Sequence, residues 1–362
     1  MPARVVVYYV LALALFGDCA YEEVMRQLVE GLAWESGWRQ SWEVPRKGSI
    51  FKARARLGPE PLELLFRAAA VPVATEATQG AFYRGLRLVS LDGTCLDVAD
   101  TPENDKAFGR PGTGRGQGVG AFPQLRLVAL AESGTHAIFD AALGPYTSSE
   151  QALTDRLWDS LQSEMLCLAD RNFYSFERFQ KARGTGAQLL WRVKSNLVLP
   201  RERQLSDDSY LTTIYPSQTA RRAKRDGELV RVIEYRIDDP VLSEEDQRYR
   251  LITTLLEAES APARELGALY PQRWELESAL DELKTHQRGP RAVLRSKDPD
   301  GVYQEAYGHL CTHYAIRRVM HDAALRADLV PHRLSFTAGL RAARRSARTQ
   351  PGFFPPEHRH RA

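Results

Sequence analysis

The chain has 362 residues, 43% apolar and 26% charged, with a formal net charge of +3. That length allows a large core and more than one folding unit, and the composition is that of an ordinary globular protein rather than a disordered or fibrous one. A near-neutral balance excludes a bulk polycation, so affinity for nucleic acid has to come from local patches. Arg-rich clusters stand at 221–225, 288–297 and 341–361, and each also reads as a solvated face. Cys19, Cys95, Cys167 and Cys311 are far apart and form no CxxC. A zinc or disulfide framework is therefore unsupported, and a reducing compartment fits.

The apolar run over 5–16 is shorter than the ~20 residues of a membrane crossing. Its pattern continues through Tyr21, Val24, Met25, Leu28, Val29 and Leu32 at helical spacing. Residues 1–75 therefore read as a helical N-terminal domain rather than a signal peptide. Little capping sequence precedes the run, so the domain reads as truncated at its start. Residues 49–56 and the following LGPEPLELLFRAAA read as two helices meeting at Gly58-Pro59. Lys52, Arg54 and Arg56 give the first a basic side, which suits a helix-turn-helix-like DNA reader or plain solvation.

From Leu86 the periodicity changes. LRLVSLDGTCLDVAD reads as two strands turning at Asp92-Gly93. PQLRLVALAE and THAIFDAALG read as two more around Ser133-Gly134. A helix over about 148–164 follows, capped by Ser148 or Ser149. Then come the buried strand MLCLAD ending in Asp170, a helix over 173–182 and the strand AQLLWRVKS, completing a first core segment over 76–195. Residues 196–250 are polar with strand-like pieces such as ELVRVIEYRI, and read as a β-rich insertion subdomain. YRLITTLL returns to the core, whose second part over 251–300 holds the helix YPQRWELESALDELK. Residues 301–349 read as C-terminal helices and 350–362 as a disordered tail. This order resembles the ribonuclease-H-like architecture, an α/β fold in which helices cover a mixed sheet.

Asp92 and Asp170 end apolar strands, and Glu277 rides a helix able to pack alongside them. Acids at buried strand tips can converge at one sheet edge, where open α/β sheets place ligands. Three convergent carboxylates are costly unless a cation neutralises them. Hard oxygen ligands suit Mg²⁺ or Mn²⁺, and two such ions about 4 Å apart serve in-line phosphoryl transfer. Taken singly, Asp92 also reads as a turn residue and Asp170 as a helix cap. Tyr270, Arg273, Glu277 and Lys284 recur at helical intervals and share one face. Arg273 and Lys284 are candidates for DNA phosphates, and Tyr270 for a phosphate or ligand hydrogen bond. Ordinary ion pairs on a solvated helix are the alternative. FGRPGTGRGQGVGAF lacks a P-loop ending and reads as a mobile connector whose Arg110 and Arg115 could brush DNA. The eight histidines make no HExxH or zinc spacing, and there is no GxSxG.

The spacing Tyr270-x2-Arg273-x3-Glu277-x6-Lys284 resembles the Y-R-E-K signature of bacterial DDE transposases, and of the insertion-element-four family in particular. LDGTCLDVADTPEN resembles that family's first-aspartate block, LADRNFYSFERF its second, and YEEVMRQLVEGL part of its N-terminal domain. The resemblance implies a DNA transposase of an insertion sequence, with Asp92, Asp170 and Glu277 as catalytic metal ligands for Mg²⁺ or Mn²⁺. It implies that Tyr270, Arg273 and Lys284 contact transposon-end DNA, and that 196–250 is the family's insertion. Implied partners are terminal inverted repeats, target DNA and a second copy in a synaptic homodimer, with no membrane. The implied location is cytoplasmic and nucleoid-associated. Tyr249 stands where a relative carries a Trp that stacks on a flipped base, or it is a packed strand residue. A non-catalytic DNA-binding remnant is the alternative function. A two-carboxylate glycosidase fits less well, because cations beside Glu277 suit phosphate better than neutral sugar.

Overall fold

The computed structural model of the chain describes residues 1–36, 44–112, 120–236, 248–289 and 293–349. Helices α1 (Ala3–Leu15), α2 (Tyr21–Ser36), α3 (Lys47–Leu57) and α4 (Glu60–Ala69) come first. The apolar run of the sequence is α1, and it is apolar on several sides because it is packed on several sides. Val5, Tyr9 and Leu13 pack with Val24 and Met25 of α2, whereas Val10 joins Leu62, Phe66 and Leu310. Between α3 and α4, Gly58 adopts a φ of 71°, which glycine tolerates and other residues resist. Arg54 is not on an outward basic face. Its buried guanidinium donates to Gln304 Oε1, Ser296 Oγ and the Gly301 carbonyl. Lys52 and Arg56 remain exposed.

The sheet is built from β1 (Phe82–Tyr83), β2 (Leu86–Asp97), β3 (Gln124–Glu132), β4 (Ile138–Pro145), β5 (Met165–Ala169), β6 (Gln188–Arg192), β7 (Arg203–Gln204), β8 (Tyr210–Ile214), β9 (Glu228–Arg236) and β10 (Arg248–Thr253). The strand order is β4-β3-β2-β5-β6-β10-β9-β8-β7, with β1 on β2. Neighbours β2, β3 and β4 are antiparallel, β5 runs parallel to β2, and β6 parallel to β5. This is the mixed, helix-covered sheet of the ribonuclease-H-like class. The polar segment after β6 does not form a separate sheet: β10 pairs with β6 and carries β9, β8 and β7 beyond it.

One turn expected from the sequence is absent. Asp92-Gly93 lies inside β2, paired with Ala129 and Val128 of β3. The full-length ladder to β3 outweighs the local turn preference of Asp-Gly. Gly93 answers a packing need instead: a Cβ there would stand 3.2 Å from the Leu127 carbonyl oxygen and 3.3 Å from Glu150 Oε1. The turn at Ser133-Gly134 is present, and Gly134 has a φ of 77°. Beside it Glu132, fully buried, accepts from the Val73 and Ala74 amides, Thr135 Oγ1 and Arg87. It ties the link from α4 to the sheet.

Short helices α5 (Pro102–Phe108), α6 (Glu150–Thr154), α7 (Phe176–Gly184) and α8 (Gln218–Ala223) follow. The long helix expected over 148–164 is only α6, capped by Ser149, plus a 3₁₀ turn at Trp158–Ser160. Leu157, Trp158 and Leu161 are all buried in the core cluster on one face of the sheet although no long helix carries them. Next comes a continuous helical passage: α9 (Ala263–Leu269), a 3₁₀ turn (Tyr270–Arg273), α10 (Trp274–Asp281) and a π turn (Glu282–Gln287). Helices α11 (Pro299–Arg326) and α12 (Phe336–Thr349) complete the described chain. Val89, Leu91 and Phe179 pack on one face of the sheet; Leu96, Ala129, Leu276, Leu280 and Leu310 pack on the other.

No helix among the described residues is long and apolar enough to cross a membrane. Residues 113–119 of the glycine-rich connector, including Arg115, and the tail over 350–362 lie outside the described residues.

His309 and His313 on α11 are buried, and burial holds the imidazole of His309 well below its ordinary pKa and that of His313 below it. The unfolded chain takes up those protons first as pH falls past about 6.5, so stability is full above that pH and declines below it. The melting temperature is expected to fall between pH 7.5 and pH 5.5. In His309→Gln the fall should be smaller; an unchanged slope in thermal denaturation would contradict this account.

Candidate active site

Strands β2 and β5 run parallel, and their pairing ends at Leu91 opposite Ala169. The next residue on each is an acid, Asp92 and Asp170. Leu88 and Leu168 belong to one cluster on one face of the sheet. Strand alternation carries the side chains two and four residues on toward that same face. The two carboxylates are thus neighbours by register alone.

The helical passage crosses this edge. Tyr270 Oη donates to the Ala169 carbonyl at 3.2 Å, fixing the 3₁₀ turn on the tip of β5. One turn later Arg273 donates from Nη1 to Asp92 Oδ2 and from Nη2 to Glu277 Oε1, each at 2.8 Å. The Arg273 side chain is 9% exposed, Asp92 20% and Glu277 54%, so the bridge runs from the sheet edge to solvent. Asp92 Oδ1 also accepts from the Gly93 amide at 2.8 Å. Burial pushes the Asp92 carboxyl up to about 6; the Gly93 amide and Arg273 oppose the rise, and Glu277 and Asp170 add to it. Asp170 and Glu277 are therefore close enough to act on Asp92.

Among the described residues, no three Asp, Glu, His or Cys side chains stand close enough to hold a metal ion. Arg273 takes the place of a counter-cation between Asp92 and Glu277. The donor set nonetheless fits a divalent cation. It offers hard carboxylate oxygens, and like-charged neighbours raise Asp92 in a way that an added positive charge relieves.

Lys284 projects from the π turn into solvent, and its charge reaches the Cys95 thiol of β2. Tyr270 is buried, so its hydroxyl serves the fold in this arrangement. Tyr249 is also buried. Its ring stacks on Tyr235 at 5.2 Å, meets Tyr270 edge-on at 6.1 Å, and has Arg192 4.0 Å from its centroid. The structure thus joins Asp92, Arg273 and Glu277 by hydrogen bonds, sets Asp170 just past the end of the strand paired with β2, leaves Lys284 in solvent toward Cys95, and packs Tyr249 into the sheet. Glu277 opens on a groove of about 590 Å³ lined also by Trp274, Asp281, His286 and Phe336.

Sequence reasoning passed over Glu275 and Glu282, which hold the far side of the same helix. Their signal was present. They stand seven residues apart, on the flank of the Leu276, Ala279, Leu280 and Leu283 stripe that lies opposite Glu277.

Residues 1–67 match the family model described as insertion element 4 transposase N-terminal, and residues 83–314 match the transposase DDE domain. The chain is 28% identical over 358 residues to the transposase InsG for insertion sequence element IS4 of Escherichia coli K12, covering 98% of this chain and 78% of InsG. It is 30% identical over 145 residues to the putative transposase InsZ of the same organism, covering 40% of this chain and 48% of InsZ. A solved piggyBac transposase synaptic complex with hairpin DNA is 12% identical, over 72% of this chain and 52% of that one. Its TM-score of 0.43 is too low to carry an argument. The DDE domain as a class implies dependence on a divalent metal. With the domain match spanning most of the sheet and the helix that crosses it, the chain belongs to the DDE transposases of the insertion-element-four family.

Proposed function

We propose that this transposase cuts the phosphodiester backbone at the ends of its insertion sequence and joins the freed 3′-hydroxyl to target DNA. The observation that supports the reading is the Arg273 bridge, 2.8 Å to Asp92 and 2.8 Å to Glu277, beside the strand that leads to Asp170. Asp92, Asp170 and Glu277 would hold Mg²⁺ or Mn²⁺, as a pair of ions. When bound, the metal makes a water or hydroxyl nucleophilic and screens the leaving oxygen.

The protein's own groups do the rest. Asp92 and Asp170 are held by the sheet, so their separation is set before DNA arrives. Tyr270 holds the start of the helix on β5. Arg273 bridges the Asp92 and Glu277 carboxylates and compensates their charge, and once displaced from them would be free to meet a phosphate. Lys284, already in solvent, adds a second phosphate contact. Such contacts position the backbone without reading sequence. The DNA partners are the terminal inverted repeats and the target, handled by two copies of the chain that bring two ends together. Such work on chromosomal DNA would be done in the cytoplasm, at the nucleoid.

A second reading has a specific support. With Arg273 neutralising Asp92 and Glu277, and no metal-holding group assembled among the described residues, the chain could bind element ends without cutting them. Metal titration separates the two readings: a binder takes up no Mn²⁺ at these carboxylates.

Asp92→Asn, Asp170→Asn and Glu277→Gln are each expected to lower Mg²⁺-dependent nicking of terminal-repeat DNA by about 10³-fold or more, roughly 4 kcal/mol of barrier. Gel-shift affinity for the same DNA should survive. Full nicking by Glu277→Gln ends the assignment.

Arg273→Gln should destabilise the chain in the presence of a chelator by about 1–3 kcal/mol, because two carboxylates lose their common donor. Added Mn²⁺ should raise the melting temperature of this variant more than that of the wild type, in which Arg273 competes for the same oxygens. Equal Mn²⁺ shifts in both proteins would speak against the exchange.

A further inference from the structure

The helix carrying Glu277 is held to the core by Leu276, Ala279, Leu280 and Leu283. Apolar contact is non-directional, so this stripe opposes lifting far more than it opposes a small rotation or slide. Rotation is fixed by the polar residues on the flanks. One flank carries Arg273, Glu277 and Lys284. The other carries Glu275 and Glu282.

Both acids of the second flank reach fixed partners. The Gly134 amide donates to Glu275. Glu282 accepts from Arg317 Nε at 2.8 Å and again from Arg317 Nη2, from His313 Nε2 at 3.2 Å, and contacts His136 Nδ1 at 3.1 Å. Gly134 and His136 belong to one turn, between β3 and β4, where His136 takes a left-handed φ of 59°. His313 and Arg317 lie one turn apart on α11. Glu282, His136, His313 and Arg317 are all buried. Burial by itself would raise the Glu282 carboxyl; hydrogen bonds to His136 and His313 and the Arg317 charge hold it well below the usual carboxylate range. The helix changes from α to π at this residue, a wider winding that recurs at functional sites.

We propose that Glu275 and Glu282 are positioning residues that clamp the catalytic helix to the β3–β4 turn and to α11, and so set the rotation at which Glu277 and Lys284 meet the strand tips. The proposal rests on the reading of Glu277 as a metal-holding carboxylate. Glu282 is engaged by His313 and Arg317 rather than by the carboxylates of the site. Its effect is on where Glu277 stands, and displacements of about 1 Å at a reacting centre can cost on the order of 100-fold in rate.

The test uses the full chain and compares Glu282→Gln with Glu132→Gln. Glu132 is a more deeply buried, multiply bonded carboxylate at the same turn, but it holds the α4 link and not the helix. Melting temperature and Mg²⁺-dependent nicking at saturating terminal-repeat DNA are measured for both, across Mg²⁺ concentrations. Both variants should melt lower. Only Glu282→Gln should lose about 10- to 100-fold in kcat and need several-fold more Mg²⁺ for half-maximal rate, with KM for DNA unchanged. Wild-type kcat and Mg²⁺ requirement in Glu282→Gln overturn the clamp, as does a proportional loss in both variants. Should Glu282→Gln not fold, Glu275→Ala leaves the Glu282–Arg317 pair intact and is held to the same Mg²⁺ criterion. Failure of the underlying reading looks different: nicking would then survive Glu277→Gln, whereas failure of the clamp alone leaves that variant inactive.

Discussion

Two parallel strands stop pairing one residue short of two acids, and the site follows from the cost of burying a carboxylate there. The sheet has no freedom to separate Asp92 from Asp170, because the register that places them also buries Leu88, Val89, Leu166 and Leu168. The charge has to be met from outside the sheet. Arg273 meets it from the crossing helix, and in doing so draws Glu277 into the same group. An arginine suits this place because its planar fork offers donors in two directions while its charge is never lost.

The crossing helix is therefore held by three kinds of force with different geometric content. Its apolar stripe supplies most of the adhesion and little direction. Arg273 and Tyr270 tie one flank to the strand tips. Glu275 and Glu282 tie the other to the β3–β4 turn and α11. A buried ion network of this kind is a weak source of net stability, since desolvation offsets much of its attraction. What it supplies is a single allowed rotation, which is what a site built from residues on two separate elements requires.

Much of this was legible in the primary structure. The apolar strands that carry Asp92 and lead to Asp170 were readable because buried strands are continuous apolar runs, although β2 runs on past Asp92 to Asp97, and the spacing of Arg273 and Glu277 was readable because helical periodicity is local. The misreadings share one cause. Asp92-Gly93 has the composition of a turn, but its fate was settled by pairing with Ala129 and Val128, more than thirty residues away. Arg54 looked like an outward cation, and its partners lie on the far side of the sequence.

The amino-acid order by itself determined which residues are available for chemistry, because residue type and short-range spacing settle which side chains can share a strand tip or a helical face. Tertiary structure decided which of them are engaged. It put Arg273 between two acids, closed Tyr249 into a stack with Tyr235 and Arg192, and gave Glu282 partners from a turn and a helix distant in sequence. The reason is physical: propensity acts over a few residues, whereas neutralising a buried charge depends on whatever the fold brings within hydrogen-bonding distance.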